Sequence, residues 1–549
     1  MPAESSASPV TNVALDIRRF PWVRPLSVAY AHEFESLAGF FAGDPARPEA
    51  WREAVARRHA TTRPHQEIAG IVEAQQLRRG APCAALAAAE RLRDPRAVAV
   101  VTGQQAGLFG GPAFGLLKAL TAVVLAERIT SELKVPAVAV FWVEAEDHDW
   151  EEVRSASVLD ARFELRTIRL DSLEGAGRLP VGRLTLDAEI TRAIDELAAA
   201  LPPTEFTAEL LEAIRAAYAP GHTMSDAFAR LSEWMLGDRG LIVFDASDPA
   251  AKPLVADLFA RELEAPGHAL ALATAAGTEL RSRGHEPQIT PVDDGTALFS
   301  LDGARLPIRR RGDQLTIGDH VHDKRTLAEE ARRHPERFSP NVLLRPIVQD
   351  TLFPTVCYVA GPSELAYWAQ FHGVYQHFGL PMPLVQPRLA ATILDSASAR
   401  FLAHNDLPFE DLQQHDESAL NRLLDAALPP SVEASLEQAV TGVRERMTAV
   451  IEAVPAIDPT LAGAAKTTLG RMEHDLRTLH TKIIHAAKRR DETLRRQFIR
   501  AQSQAFPDGH LQERTVASIF FINRYGPAIH QRVLSSLPFD PGVHWIVTA

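Results

Sequence analysis

Between residues 97 and 143 the chain runs from AVAVVTG through QQAGLFGGP into FGLLKALTAVVLAERI and on to VPAVAVFWV. A short valine-rich run, a glycine loop, a mostly apolar helical stretch and a second valine-rich run make a strand, helix, strand succession. A connection of this length closes a right-handed parallel unit. The pattern recurs. GLIVFDASDP (240–249) reads as strand and turn before the helical KPLVADLFARELEA, and TVCYVAGPSELAYWAQFHGVYQHFG (355–379) reads as strand, turn and helix, with MPLVQPR (382–388) as a further strand. The expected fold class is therefore α/β, a Rossmann-like doubly wound parallel sheet.

The units are interrupted. The core is expected over residues 13–391, with insertions at about 150–235 and 250–340. The first holds an alternating segment, ARFELRTIRL, followed by helices; within the second, residues 286–322 alternate between turn signals at DDG, LDG and RRGD and predict a small β-hairpin insertion. From 392 to 505 the composition shifts to long helical segments, a C-terminal α-helical domain. There Leu469, Met472, Leu476, Leu479, Ile483 and Ala486 alternate steps of three and four, the seam of a coiled coil. Such a seam serves packing within one chain or a dimer interface. The basic run KRRDETLRRQFIR (488–500) is read as a solvated helix face, and residues 506–549 as a segment returning to the core. Residues 1 to about 12 are read as a loose tail.

A length of 549 residues allows two to four domains. No apolar stretch approaches the ~20 residues that span a bilayer, and the start has neither a secretory nor a transit pattern, so no membrane partner is expected. Cys83 and Cys357 stand far apart without a CxxC pair, which fits a reducing compartment and a cytoplasmic location. A net charge of −12 disfavours nucleic acid and favours small-molecule ligands.

Three segments carry chemistry. A glycine loop between strand and helix exposes N–H groups at the positive end of a helix dipole, which suits a phosphate or carboxylate; Gln104 and Gln105 add amides that donate and accept without charge. The loop matches neither GxGxxG nor GxxxxGK[ST]. EAEDHDWEE (144–152) follows a strand directly and puts six acidic groups around one histidine, a cluster that repels itself unless something cationic joins it. His148 between Asp147 and Asp149 is a candidate general base; alternatively Glu146, Asp147, His148 and Asp149 bind a divalent cation, or the segment is an acidic helix start. In the third segment, NVLLRPIVQDTLFPTVCYVAGPSELAYW (341–368), Gly361 with Ser363 and Glu364 opens a second helix, a candidate anion seat. Upstream, Asn341, Arg345 and Gln349 offer a bidentate cation and two amides to a carboxylate, or a structural ion pair. No GxSxG elbow is present.

Together TGQQAGLFGGP, FWVEAEDHDWEEV and NVLLRPIVQDTLFPTVCYVAGPSELAYW closely resemble the bacillithiol-biosynthesis cysteine-adding family, BshC. The likeness extends to DAFARLSEWMLGDRGLIVFDASDP (226–249), to MPLVQPR and to the closing LQER and NRYG, nearly the whole chain. The resemblance implies a nucleotidyltransferase-type core with a coiled-coil domain and a homodimer. It also implies an amide ligase that joins the carboxylate of L-cysteine to the amine of glucosaminyl-malate after activation by ATP. On that scheme Gly103, Gln104, Gln105, Gly107 and Gly111 hold a phosphate or carboxylate. The Glu146 to Asp149 group deprotonates the amine or holds a metal, and Asn341, Arg345 and Gln349 receive the malate carboxylates. The sequence departs from amino-acid-adenylating cores of this type, with TGQQ in place of HxGH and no KMSKS run. A non-catalytic scaffold that binds a nucleotide or metabolite and assembles partners through its coiled coil is the alternative.

Overall fold

The computed structural model describes residues 12–290, 292, 294–413, 417–426, 430–490, 492–530 and 537–549. The tail up to residue 11 and the side chains of Ala486 and of 488–491 at the start of the basic run lie outside what is described.

The core sheet has five strands: β1 (Val98–Gln105), β2 (Ala137–Glu144), β3 (Leu241–Asp245), β4 (Thr355–Ala360) and β5 (Leu384–Pro387). Each is a run of β-branched and aromatic residues buried along most of its length, the composition of a strand covered on both faces. All neighbours are parallel, in the order β3-β2-β1-β4-β5. That is the doubly wound order, and strand progression reverses between β1 and β4, the switch point beyond whose carboxyl ends such folds bind ligands. Helix α1 (Ala113–Arg128) follows the glycine loop and is buried on nearly every side, which explains its unbroken apolar sequence. Its neighbour β1 lies so close to β2 that a Cβ on Gly103 would meet the Trp142 carbonyl at 3.0 Å. A side chain there would push the two strands apart.

The insertion after residue 286 is larger than a hairpin. Strands Gly295–Ser300, Leu306–Arg311, Gln314–Ile317 and His320–Asp323 form an antiparallel meander, and Phe338–Pro340 joins it from beyond an intervening helix, making five strands. Turn residues announce the meander, but the Phe338↔Ser300 pairing is long-range and has no local signal. Residues 512–530 and 537–547 pack with the core: Ala517 bridges to Pro112, Val516 to Ser157, and Val543–Thr548 pairs antiparallel with Asn12–Asp16.

Residues 393–511 form a second, helical unit. Its long helices, α2 (Pro430–Ala453) and α3 (Leu461–Arg490), run antiparallel as a hairpin, since Glu433 meets His480 at 2.9 Å and Arg444 meets Glu473 at 2.8 Å. The seam differs from the expected one. Leu469, Leu476 and Ile483 are half-buried, but Glu473 and His480 take the intervening turns, while Met472 and Leu479 stand 42% and 47% exposed. A seven-residue pattern does not say which of two adjacent stripes faces the partner helix.

Candidate active site

Beyond the carboxyl ends of β1 and β4 opens a cavity of about 520 Å³, the size of a small-molecule site. A chain of polar side chains forms one wall. Lys118 of α1 donates to the Gly103 carbonyl at 2.8 Å and to Gln104 Oε1 at 3.2 Å, and pairs with Glu364. Glu364 accepts from Tyr358 Oη (2.8 Å), Tyr367 Oη (2.9 Å) and the Gly361 N–H (2.6 Å). Arg345 links Tyr367 (3.3 Å) to Glu144 (3.4 Å). Burial favours the neutral acid at Glu364, but Lys118 and these hydrogen bonds hold its carboxyl below the usual carboxylate range.

The glycine loop is a packing device. Four of its N–H groups are engaged: Gly107 with Gln105 O, Gly110 with Tyr218 Oη, Gly111 with Leu108 O, and the first helical donor, Ala113, with Val516 O. Gly107 and Gly111 pass backbone against backbone and do not line the cavity, whereas Gly103, Gln104 and Gln105 do. Buried Tyr218 holds the turn from both sides, accepting from Gly110 and donating to Gly107 O at 3.0 Å. Tyr218→Phe leaves a buried N–H and a buried carbonyl without that partner, at an expected cost of about 1–3 kcal/mol. Urea unfolding checks this, and an unchanged midpoint would show the loop to be held by other contacts.

The acidic cluster finds its cations inside the protein. Glu144 faces Arg345, Glu146 pairs with buried Lys252, Asp147 lies 3.3 Å from Arg305, Glu151 pairs with Arg154, and Glu152 accepts from Gln105 at 2.7 Å. The side chains diverge: among the described residues no three His, Cys, Asp or Glu side chains converge as metal ligands. Asp147 lines the cavity. Glu146 instead lines a separate cavity with Lys252, and Asp149 caps the turn Trp150–Val153 by accepting from Glu152 N. His148 stands outside the lining, 40% exposed, with Nδ1 3.4 Å from Arg305.

Of the third segment, Asn341, Arg345, Gly361, Ser363 and Glu364 line the cavity. Gly361 opens the helix Pro362–Trp368 as expected, but the Glu364 carboxylate occupies its N-terminus, where an incoming anion was expected. Asn341 Oδ1 caps the turn ahead of Arg345, accepting from Leu343 and Leu344. Gln349 is fully buried away from the cavity, accepting from Arg345 and donating to Asp350. It can position Arg345 but cannot touch a ligand there.

Several lining residues escaped sequence reasoning: Glu144, Lys118, Arg305, Arg388 and Arg514. Glu144 is the most telling. Burial, with Glu146 and Asp147 nearby, outweighs Arg345 and Arg305 and pushes its carboxyl up to about 7. The signal was present in its position, the last residue of a central strand. Beside it the buried Trp142 Nε1–H has no partner among the described residues.

Fold and site define an α/β protein of Rossmann type with a charged cavity at the switch point and a helical-hairpin unit attached. Residues 12–389 match the family described as "Bacillithiol biosynthesis BshC, N-terminal Rossmann-like domain", and residues 391–549 match "Bacillithiol biosynthesis BshC, C-terminal coiled-coil domain". The protein named "Putative cysteine ligase BshC" in Salinibacter ruber is 35% identical over 538 residues, 95% of this chain and 96% of the relative. Proteins of the same name in Chlorobaculum tepidum (36%; 80% of this chain, 81% of the relative) and Koribacter versatilis (32%; 84% and 85%) are similar too. The chain belongs to the BshC family. Among the described residues no helix is long and apolar enough to cross a membrane.

Proposed function

We propose that this protein is a cysteine ligase that joins the carboxylate of L-cysteine to the amine of glucosaminyl-malate, forming the amide of bacillithiol. The relatives' shared name supports the chemistry. The observation that carries it is Glu144, a carboxylate with a pKa near neutrality in a cavity lined by arginines. Attack by an amine requires a neutral nitrogen and an acceptor for the proton released as the C–N bond forms, and a group titrating near 7 suits both. Arg345 holds Glu144 in place, and Gln104 and Gln105 offer amides to the polar groups of the substrates.

Cysteine's carboxylate needs a leaving group, which ATP would supply. The N–H groups of Gly107, Gly110 and Gly111 are bonded within the protein, and the Arg305 guanidinium, 3.8 Å over the Phe299 ring and already beside Asp147, is a lining cation that would meet the ATP phosphates. The reaction is assigned to the cytoplasm, in keeping with two unpaired cysteines. Incubation with cysteine, glucosaminyl-malate and ATP, followed by mass spectrometry, tests the reading: amide and spent nucleotide are expected, and binding without product would favour the scaffold.

The exposed pair Met472 and Leu479, one heptad apart on α3, supports a homodimer through the helical hairpin. Light scattering should give twice the chain mass at micromolar concentration, and Met472→Glu with Leu479→Glu should give the monomer. A dimer indifferent to both substitutions would place the contact elsewhere.

A further inference from the structure

Four arginines line the cavity, and three are committed: Arg305 to Asp147, Arg345 to Glu144 and Arg388 to Glu513. Arg514 is different. It is exposed and, among the described residues, has no carboxylate within ion-pair distance. Its guanidinium lies 5.7 Å from the centre of the Phe114 ring, the same ring that has Arg388 at 5.8 Å and Lys118 at 5.9 Å. The two inner cations are neutralised, Arg388 by Glu513, to which it donates two hydrogen bonds (2.8 and 2.6 Å), and Lys118 by Glu364. One uncompensated positive charge therefore remains at the rim, held against an aromatic face by cation–π attraction and tethered by its neighbour Glu513.

We propose that Arg514 is a recognition residue that receives a carboxylate of the acceptor at the mouth of the cavity. The acceptor's identity rests on the ligase reading; the anion site rests on the geometry. A guanidinium fork matches a carboxylate with two parallel hydrogen bonds, and the ring behind it limits the orientations it loses on binding. Arg345, the expected carboxylate receptor, is already paired with Glu144 and donates to Gln349 and Tyr367.

Calorimetric titration of the full chain with L-malate, without cysteine or ATP, tests this apart from turnover. Malate is expected to bind the unaltered protein, Arg514→Gln to weaken it by roughly tenfold or more, and Arg514→Lys to keep part of the affinity, because a point charge replaces a fork. Thermal transitions should be unchanged, since the side chain is exposed. Equal affinity in the unaltered protein and Arg514→Gln, no binding of malate at all, or Arg514-dependent binding of inorganic phosphate without malate would each overturn the proposal. In turnover, Arg514→Gln should raise KM for glucosaminyl-malate and leave kcat, while an acceptor without carboxylates should not sense the change. Should the unaltered protein make no amide, the ligase reading falls and the malate titration alone decides the anion site.

Discussion

Glu144→Gln is expected to lower kcat by about a hundredfold or more, the scale of a positioned general base, while leaving the fold and the Arg345 side chain in place. The pH dependence gives the sharper test. Only the ionised carboxyl accepts a proton, so kcat/KM of the unaltered protein should rise with pH through about 7 and level off above it. The variant should lose that limb. Stability moves the other way. A carboxyl raised from the ordinary value of 4.5 to about 7 keeps its proton in the folded chain where the unfolded chain has released it. The folded state therefore loses stability as pH rises through that window. Glu144→Gln should be more stable than the unaltered protein at pH 8, by roughly 1–3 kcal/mol, and equal to it at pH 4. His148→Ala, altering a ring outside the cavity, should change kcat by only a few-fold. A loss equal to that of Glu144→Gln would return the proton to the histidine.

The largest stability effect is expected at the ion pair joining MPLVQPR to LQER. Arg388 and Glu513 are 6% and 3% exposed and share two hydrogen bonds, and Glu513 also accepts from Ala391 N. Removing either partner strands a buried charge, so Arg388→Ala or Glu513→Ala should cost about 3–5 kcal/mol in urea unfolding. Replacing both by apolar residues of similar volume should cost much less. Burial works to raise the Glu513 pKa, but Arg388 holds it below the usual range. Its contribution is thus present above the ordinary carboxylate pKa and lost as pH falls through the depressed one. Single variants that unfold like the unaltered protein would show that water reaches the pair.

The core strands were legible because each is a local property. Valine-rich runs such as AVAVV and VPAVAVFWV form strands whatever their neighbours do, and a glycine loop into an apolar helix fixes the crossover between them. Gly103, Gln104, Gln105, Arg345 and Gly361 could be placed at the site for the same reason, since each ends or adjoins such an element. The acidic cluster was harder. Its self-repulsion showed that cations must join it, but Arg345, Lys252 and Arg305 come from segments at least a hundred residues away.

What the sequence determined by itself is the parallel sheet with its insertions, the helical unit, and which strand ends would face a ligand. Periodicity and turn chemistry act over a few residues, so they survive without knowledge of the rest of the chain. Tertiary structure alone decided that the Gly110 and Ala113 N–H groups of the glycine loop turn to Tyr218 and Val516. It likewise decided that Glu364 closes its own helix start, and that Met472 and Leu479 face outward while Glu473 and His480 face α2. It also set Glu144 in the cavity lining and His148 outside it. The reason is the same each time: a hydrogen bond, an ion pair or a desolvated carboxyl depends on what lies within a few ångströms, and the crossovers of a doubly wound sheet bring those neighbours from distant parts of the chain.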